Sequence, residues 1–93
     1  MKYRKKTIVI DAIQWVGSNF MEVVKFTGLN CSDEEWGKGN FGIIRTSESE
    51  FMIYTPDGPM TAWIGDWIIT GANGEHYPCR PDTFKATYEL VED

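Results

Sequence analysis

Trp63 to Tyr88, WIGDWIITGANGEHYPCRPDTFKATY, is the stretch on which the fold turns. Short apolar runs alternate there with Gly, Pro, Asn and Asp, which is strand-and-turn sequence and leaves no room for a long helix. Trp67 to Thr70 predicts a strand, and Asn73-Gly74 within Ala72-Asn73-Gly74 predicts a tight type I′ turn, since both residues accept positive φ. Glu75 to Cys79 is then the return strand. Pro78 and Pro81 flank Cys79-Arg80 and withhold ladder donors, which places that end at an edge or in a crossing loop. Pro81 to Phe84 predicts one helical turn with Asp82 as cap and Phe84 turned inward. Ala86 to Val91 alternates, with Ala86, Tyr88 and Leu90 against Thr87, Glu89 and Val91, and predicts a final strand.

Upstream the pattern is of the same kind. Phe41 to Thr46 and Phe51 to Thr55 predict a hairpin joined by Ser47-Glu48-Ser49-Glu50. Pro56-Asp57-Gly58-Pro59 predicts a turn into a further strand, Met60 to Ile64, because Pro presets φ and Gly accepts positive values. Gly65-Asp66 turns or bulges the chain into Trp67. Nearer the N-terminus, Thr7 to Trp15 predicts a strand covered on both faces, and Gly17 breaks it. Phe20, Val23, Val24 and Thr27 recur at helical spacing, with Ser18 or Asn19 as N-cap and Gly28 as C-terminal stop. Leu29 to Asn40 is polar and Gly-rich and predicts a surface loop. The whole predicts a single domain over 1–93 of α+β class: about six strands in a mostly antiparallel, curled sheet, barrel-like if it closes, with one helix packed on it.

Composition narrows the function classes. A net charge of −5 argues against sequence-specific nucleic-acid binding through the overall field. Four Trp, four Tyr and five Phe are more rings than 93 residues readily hide, so some belong at a groove or subunit interface, and a homo-oligomer is expected. The two cysteines, Cys31 and Cys79, form no C-x-x-C pair. Without a signal peptide or a membrane-length apolar run, they read as free thiols in a cytoplasm. Lys2, Arg4, Lys5 and Lys6 read as a solvated basic terminus, and Asp33-Glu34-Glu35 with Glu89, Glu92 and Asp93 as solvated acidic clusters.

Gly65-Asp66-Trp67-Ile68-Ile69, Gly71, Gly74-Glu75, Tyr77-Pro78-Cys79-Arg80-Pro81-Asp82, Phe84 and Thr87-Tyr88 resemble a family of small proteins of tailed bacteriophages and prophages. Tyr3-Arg4-Lys5-Lys6 and Ala12-Ile13-Gln14-Trp15 resemble the same family's N-terminus. The chain departs from that pattern at Ile64, His76, Arg80 and Thr83, where Pro, an apolar ring, Lys and an aliphatic residue are expected. The resemblance implies a phage origin and a host cytoplasm, and no particular reaction.

Candidate chemistry divides three ways. Cys79 with His76, Glu75 and Asp66 would make a small enzyme, but on an extended strand His76 and Cys79 face opposite ways. His76, Cys79 and Cys31 match no zinc spacing, so neither metal nor cofactor is expected. Asp66 and Asp82 read as turn residues whose carboxylates accept backbone N–H groups farther along. The third combination joins rings and cations: Trp63, Trp67, Tyr77, Phe84 and His76 with Arg80 and Arg45, a set suited to stacking and anion pairing or to an interface hot spot. The expected function is non-enzymatic binding in the infected cell, as counter-defence against a nucleotide signal or a host protein. A scaffolding role among phage proteins is the alternative.

Overall fold

The computed structural model describes residues 10–29, 42–71 and 73–89. Its elements are β1 Asp11–Gln14, α1 Phe20–Thr27, β2 Ile43–Arg45, β3 Glu50–Thr55, β4 Gly58–Trp63, β5 Trp67–Thr70, β6 His76–Cys79 and α2 Pro81–Thr87. The α+β class and the antiparallel pairing are as expected. The strands divide, however, into two three-stranded sheets, β1-β5-β6 and β2-β3-β4, and no closed barrel forms among the described residues.

Turn chemistry explains most boundaries. Thr55 pairs with Gly58 across Pro56-Asp57, and Gly58 takes φ 104°. The Thr55 hydroxyl donates to the Gly58 carbonyl at 2.7 Å and accepts from the Asp57 N–H at 3.1 Å, which closes the turn from inside. Between Gly71 and Glu75 the connection differs from a two-residue type I′ turn. The Gly71 N–H donates to the Glu75 carbonyl at 2.7 Å and Gly74 N–H to the Gly71 carbonyl at 3.1 Å, so three residues connect the strands and Gly74 takes the positive φ of 81°.

A second helix replaces the end of the chain's expected strand pattern. α2 starts on Pro81, whose missing N–H costs nothing at a helix's first position, and runs to Thr87. The strand expected from Ala86 is therefore corrected: Ala86 and Thr87 are helical, and Tyr88 closes the last turn through its N–H to the Phe84 carbonyl at 2.9 Å. Asp82 is likewise corrected from cap to second helical residue, Arg80 occupying the N-cap position without a side-chain cap bond.

The two sheets meet through rings. Trp15, fully buried, follows β1 and stands edge-on to Phe51 of β3 at 5.1 Å and to Phe20 of α1 at 6.1 Å. Its indole N–H donates to the Ser49 carbonyl at 3.1 Å, so the buried polar tip is satisfied. Val23, Ile43, Ile53, Ala62 and Ile68 complete the core around it. Each of the Val and Ile side chains contributes roughly 1.5–3 kcal/mol by leaving water, and the Ala62 methyl about a third of that. α1 ends as its sequence predicts, with Gly28 at φ 68° and its N–H on the Val24 carbonyl at 2.9 Å. Asn19 stands at the N-cap but its side chain turns back, accepting from Val16 N–H at 3.0 Å and donating to the Gln14 carbonyl at 2.8 Å.

Several expectations lie outside the described residues: the basic Lys2 to Lys6, the start of the first strand at Thr7, and the loop beyond Leu29 with Cys31, Asp33 to Glu35 and Trp36. Phe41, and Leu90 to Asp93, do too. No helix among the described residues is long and apolar enough to cross a membrane.

Candidate functional site

The turn between β4 and β5 is built around one carboxylate. Asp66 is 1% exposed and ends a turn in which its N–H donates to the Trp63 carbonyl at 2.9 Å, with Gly65 at φ 98° as the positive-φ residue that such a turn requires. Its Oδ2 accepts the Trp63 N–H at 2.9 Å, so the side chain reaches back along the chain rather than forward as the sequence pattern suggested. Its Oδ1 accepts from Arg80 Nη1 at 3.2 Å. Backbone bonds from Trp15 N–H to the Asp66 carbonyl (2.8 Å) and from Gly65 N–H to the Trp15 carbonyl (2.7 Å) extend the β1–β5 ladder to this corner.

Arg80 is therefore held by one terminal nitrogen and otherwise largely open to solvent. Its side chain is 61% exposed, and its Cζ lies 5.7 Å from the centre of the Trp63 ring, itself 48% exposed. A guanidinium over an indole is an attractive pairing in its own right. Four residues on, Phe84 stacks on Trp67 at 4.3 Å with planes 6° apart, and Tyr88 tilts against Phe84 at 5.1 Å. The structure thus gathers Trp63, Arg80, Trp67 and Phe84 into one corner, where α2 meets the β4–β5 turn.

The remaining sequence candidates lie elsewhere. Arg45 is taken up by main-chain carbonyls: Nε donates to Ser47 at 3.0 Å, and Nη2 to Glu48 at 2.9 Å and Gly17 at 3.2 Å. Its Cζ lies 5.5 Å from the Trp15 ring and 5.6 Å from Phe20, so it lids the core. His76 is buried, 6.3 Å from the Phe26 ring of α1, with Nδ1 3.2 Å from the Thr70 hydroxyl. Burial pushes its pKa below the usual value, outweighing a hydrogen bond to the Thr27 backbone and the Glu75 charge, which raise it. Tyr77 pairs with Ile69, and its phenol is pushed up by burial, then by the Glu75 and Asp57 carboxylates.

Cys79 and His76 do not form a nucleophile–base pair. Cys79 pairs with Trp67 and His76 with Thr70, an odd offset that puts the two side chains on opposite faces. Burial, then Asp66 and Asp82, pushes the Cys79 thiol up, away from the reactive thiolate. No group of three or more potential metal ligands occurs among the described residues.

No protein-family model, curated protein or solved structure matches the chain.

A cleft of about 380 Å³ opens between the β3–β4 turn and the β5–β6 connection, lined by Leu29, Tyr54, Pro56, Glu75 and His76 among others. It shares no lining residue with the Arg80 corner. Its side chains are already engaged: Glu75 accepts the Asn73 N–H at 3.0 Å, and His76 is bonded as described. Two participants in the corner were not among the sequence's site candidates. Asp66 was read as a turn former, or as a member of an enzymatic set with Cys79, and nothing in a spacing of 14 residues announces its bond to Arg80. Tyr88 lies four residues after Phe84, a neighbour relation that holds on a helix but not on the strand expected there.

Proposed function

We propose that the protein is a non-enzymatic accessory protein of a tailed phage, acting in the infected bacterial cytoplasm by binding a host defence protein through the Trp63–Arg80 corner. The observation that carries this reading is the half-exposed Trp63 indole beside an exposed Arg80 that a buried Asp66 carboxylate holds in place. Trp and Arg are the side chains in which interface energy concentrates. A side chain already fixed before binding loses less rotamer freedom on contact, which favours affinity. The phage setting is supported by the resemblance of the Gly65 to Tyr88 motif and the N-terminal residues.

A captured nucleotide signal has weaker support. The Trp67 and Phe84 rings already stack on one another at 4.3 Å, which leaves no gap between them for a base. Affinity purification from infected cells, wild type against Arg80→Glu, tests the reading. A host protein retained by the wild type and lost by the variant is the expected result. Virion or replication proteins in its place would replace counter-defence with scaffolding, and retention indifferent to Arg80→Glu would remove the corner from the reading. Native mass spectrometry of protein from nucleotide-containing lysate adds the oligomer size; a nucleotide retained by a multimer would restore the signal-capture form, in a site shared between copies.

A further inference from the structure

Resting on the corner as a contact surface, we infer that the group Arg80 receives is a carboxylate, an Asp or Glu side chain of a protein partner, with an apolar neighbour that lies against the Trp63 indole. The inference follows from what Asp66 uses and what it leaves. A guanidinium carries five N–H donors in a rigid planar fork. Asp66 takes one through Nη1 and, being 1% exposed, fixes the fork from beneath. The Trp63 ring covers part of the guanidinium at 5.7 Å, while 61% of the side chain remains open to solvent. Paired N–H groups on the open edge match the spacing of two carboxylate or phosphate oxygens.

Charge then selects between those anions. Asp66 already sets one carboxylate against the guanidinium at 3.2 Å, in a chain of net charge −5. A phosphate, with up to two charges, draws its affinity from a positive local field, and Asp66 already offsets the charge of Arg80. A carboxylate brings one charge and gains from the bidentate fit, which depends on geometry more than on net field. The exposed indole beside it calls for an apolar or aromatic companion residue, because covering it removes a large ring from water.

The test is selection of a random peptide library on the folded full chain, with binders then measured against Trp63→Ala, Arg80→Gln and Arg80→Lys chains whose amide spectra match the wild type. The expected binders carry Asp or Glu beside Phe, Tyr or Leu. They weaken by about tenfold or more on Arg80→Gln, and by nearly as much on Arg80→Lys, because an ammonium has no fork. Binders that need Trp63 and Arg80 but carry no acidic residue overturn the carboxylate and leave the contact surface standing. Binders indifferent to all three variants overturn the surface as well. In parallel, acetate and inorganic phosphate are titrated while the Arg80 Nε–H and Trp63 indole signals are followed. Acetate acting at the lower concentration supports the carboxylate, and phosphate acting first overturns it.

Discussion

Trp67 and Phe84 stack with centroids 4.3 Å apart and planes 6° from parallel, and this contact fastens α2 to the sheet. The helix has no fully buried residue, so its docking depends on partly covered rings, with Tyr88 tilted against Phe84 at 5.1 Å. Phe84→Ala removes the middle ring of the three. The expected loss is about 1–3 kcal/mol, below a full Phe deletion because the ring is only partly covered. Urea unfolding measures it, and Trp emission should shift to the red as Trp67 gains solvent. Unchanged stability would show that α2 is held by something other than this stack.

Asp66 supports the opposite end of the helix. Its two carboxylate oxygens divide their work between the Trp63 N–H at 2.9 Å and Arg80 at 3.2 Å. Asp66→Ala leaves the Trp63 donor without this acceptor and frees Arg80, for an expected loss of about 2–4 kcal/mol. Asp66→Asn keeps an acceptor and should lose about half as much. Equal losses in the two variants would mean that turn closure contributes nothing and that charge alone matters. Chemical denaturation of the three proteins separates these cases.

Legibility from sequence follows how local the deciding chemistry is. The Pro56-Asp57-Gly58 turn, the Gly28 stop and the Trp67 to Thr70 strand are set by residues within a few positions of each other, and all three read correctly. α2 misread because seven residues are too few for a 3.6-residue period to show, and Ala86, Tyr88 and Leu90 satisfy a period of two equally well. The division into two sheets rests on β1 pairing with β5, far along the chain, while β2, β3 and β4 pair among themselves, and no local pattern encodes that choice. Arg45 entered the candidate site because residue type suggested it. Its role is decided by carbonyls of Gly17, Ser47 and Glu48 that happen to face it, and a carbonyl belongs to every residue alike.

His76 predicts a pH dependence of stability. Its folded pKa lies below the ordinary imidazole value of 6.5, chiefly through burial. The unfolded chain therefore binds the proton more readily than the folded one. Stability is fully present above that unfolded value and falls as pH drops below it, levelling off only beneath the folded pKa. Carboxylates titrate lower in the same range, so the comparison that isolates His76 is wild type against His76→Phe from about pH 7.5 to pH 5. The variant should show the shallower decline. Parallel curves would sink the idea.

Arg45 and Arg80 make the sharpest contrast, because one residue type stands in two roles. Arg45 donates to three main-chain carbonyls and lies within 5.6 Å of the Phe20 ring centre and 5.5 Å of the Trp15 ring centre. Arg45→Ala should lower stability by about 1–2 kcal/mol, from lost hydrogen bonds and the exposed edge of the core. Its effect on the peptides selected at the corner should be nil. Arg80 is mostly solvated, so screening limits its ion pair to about 1 kcal/mol or less. Arg80→Gln should accordingly unfold near the wild-type midpoint while losing those peptides. Paired denaturation and binding measurements on the two variants read both properties at once. If Arg45→Ala weakened binding as much as Arg80→Gln did, the surface would extend across the core lid. If Arg80→Gln lost the greater stability, the Asp66–Arg80 bond would be part of the fold's frame before it is part of any interface.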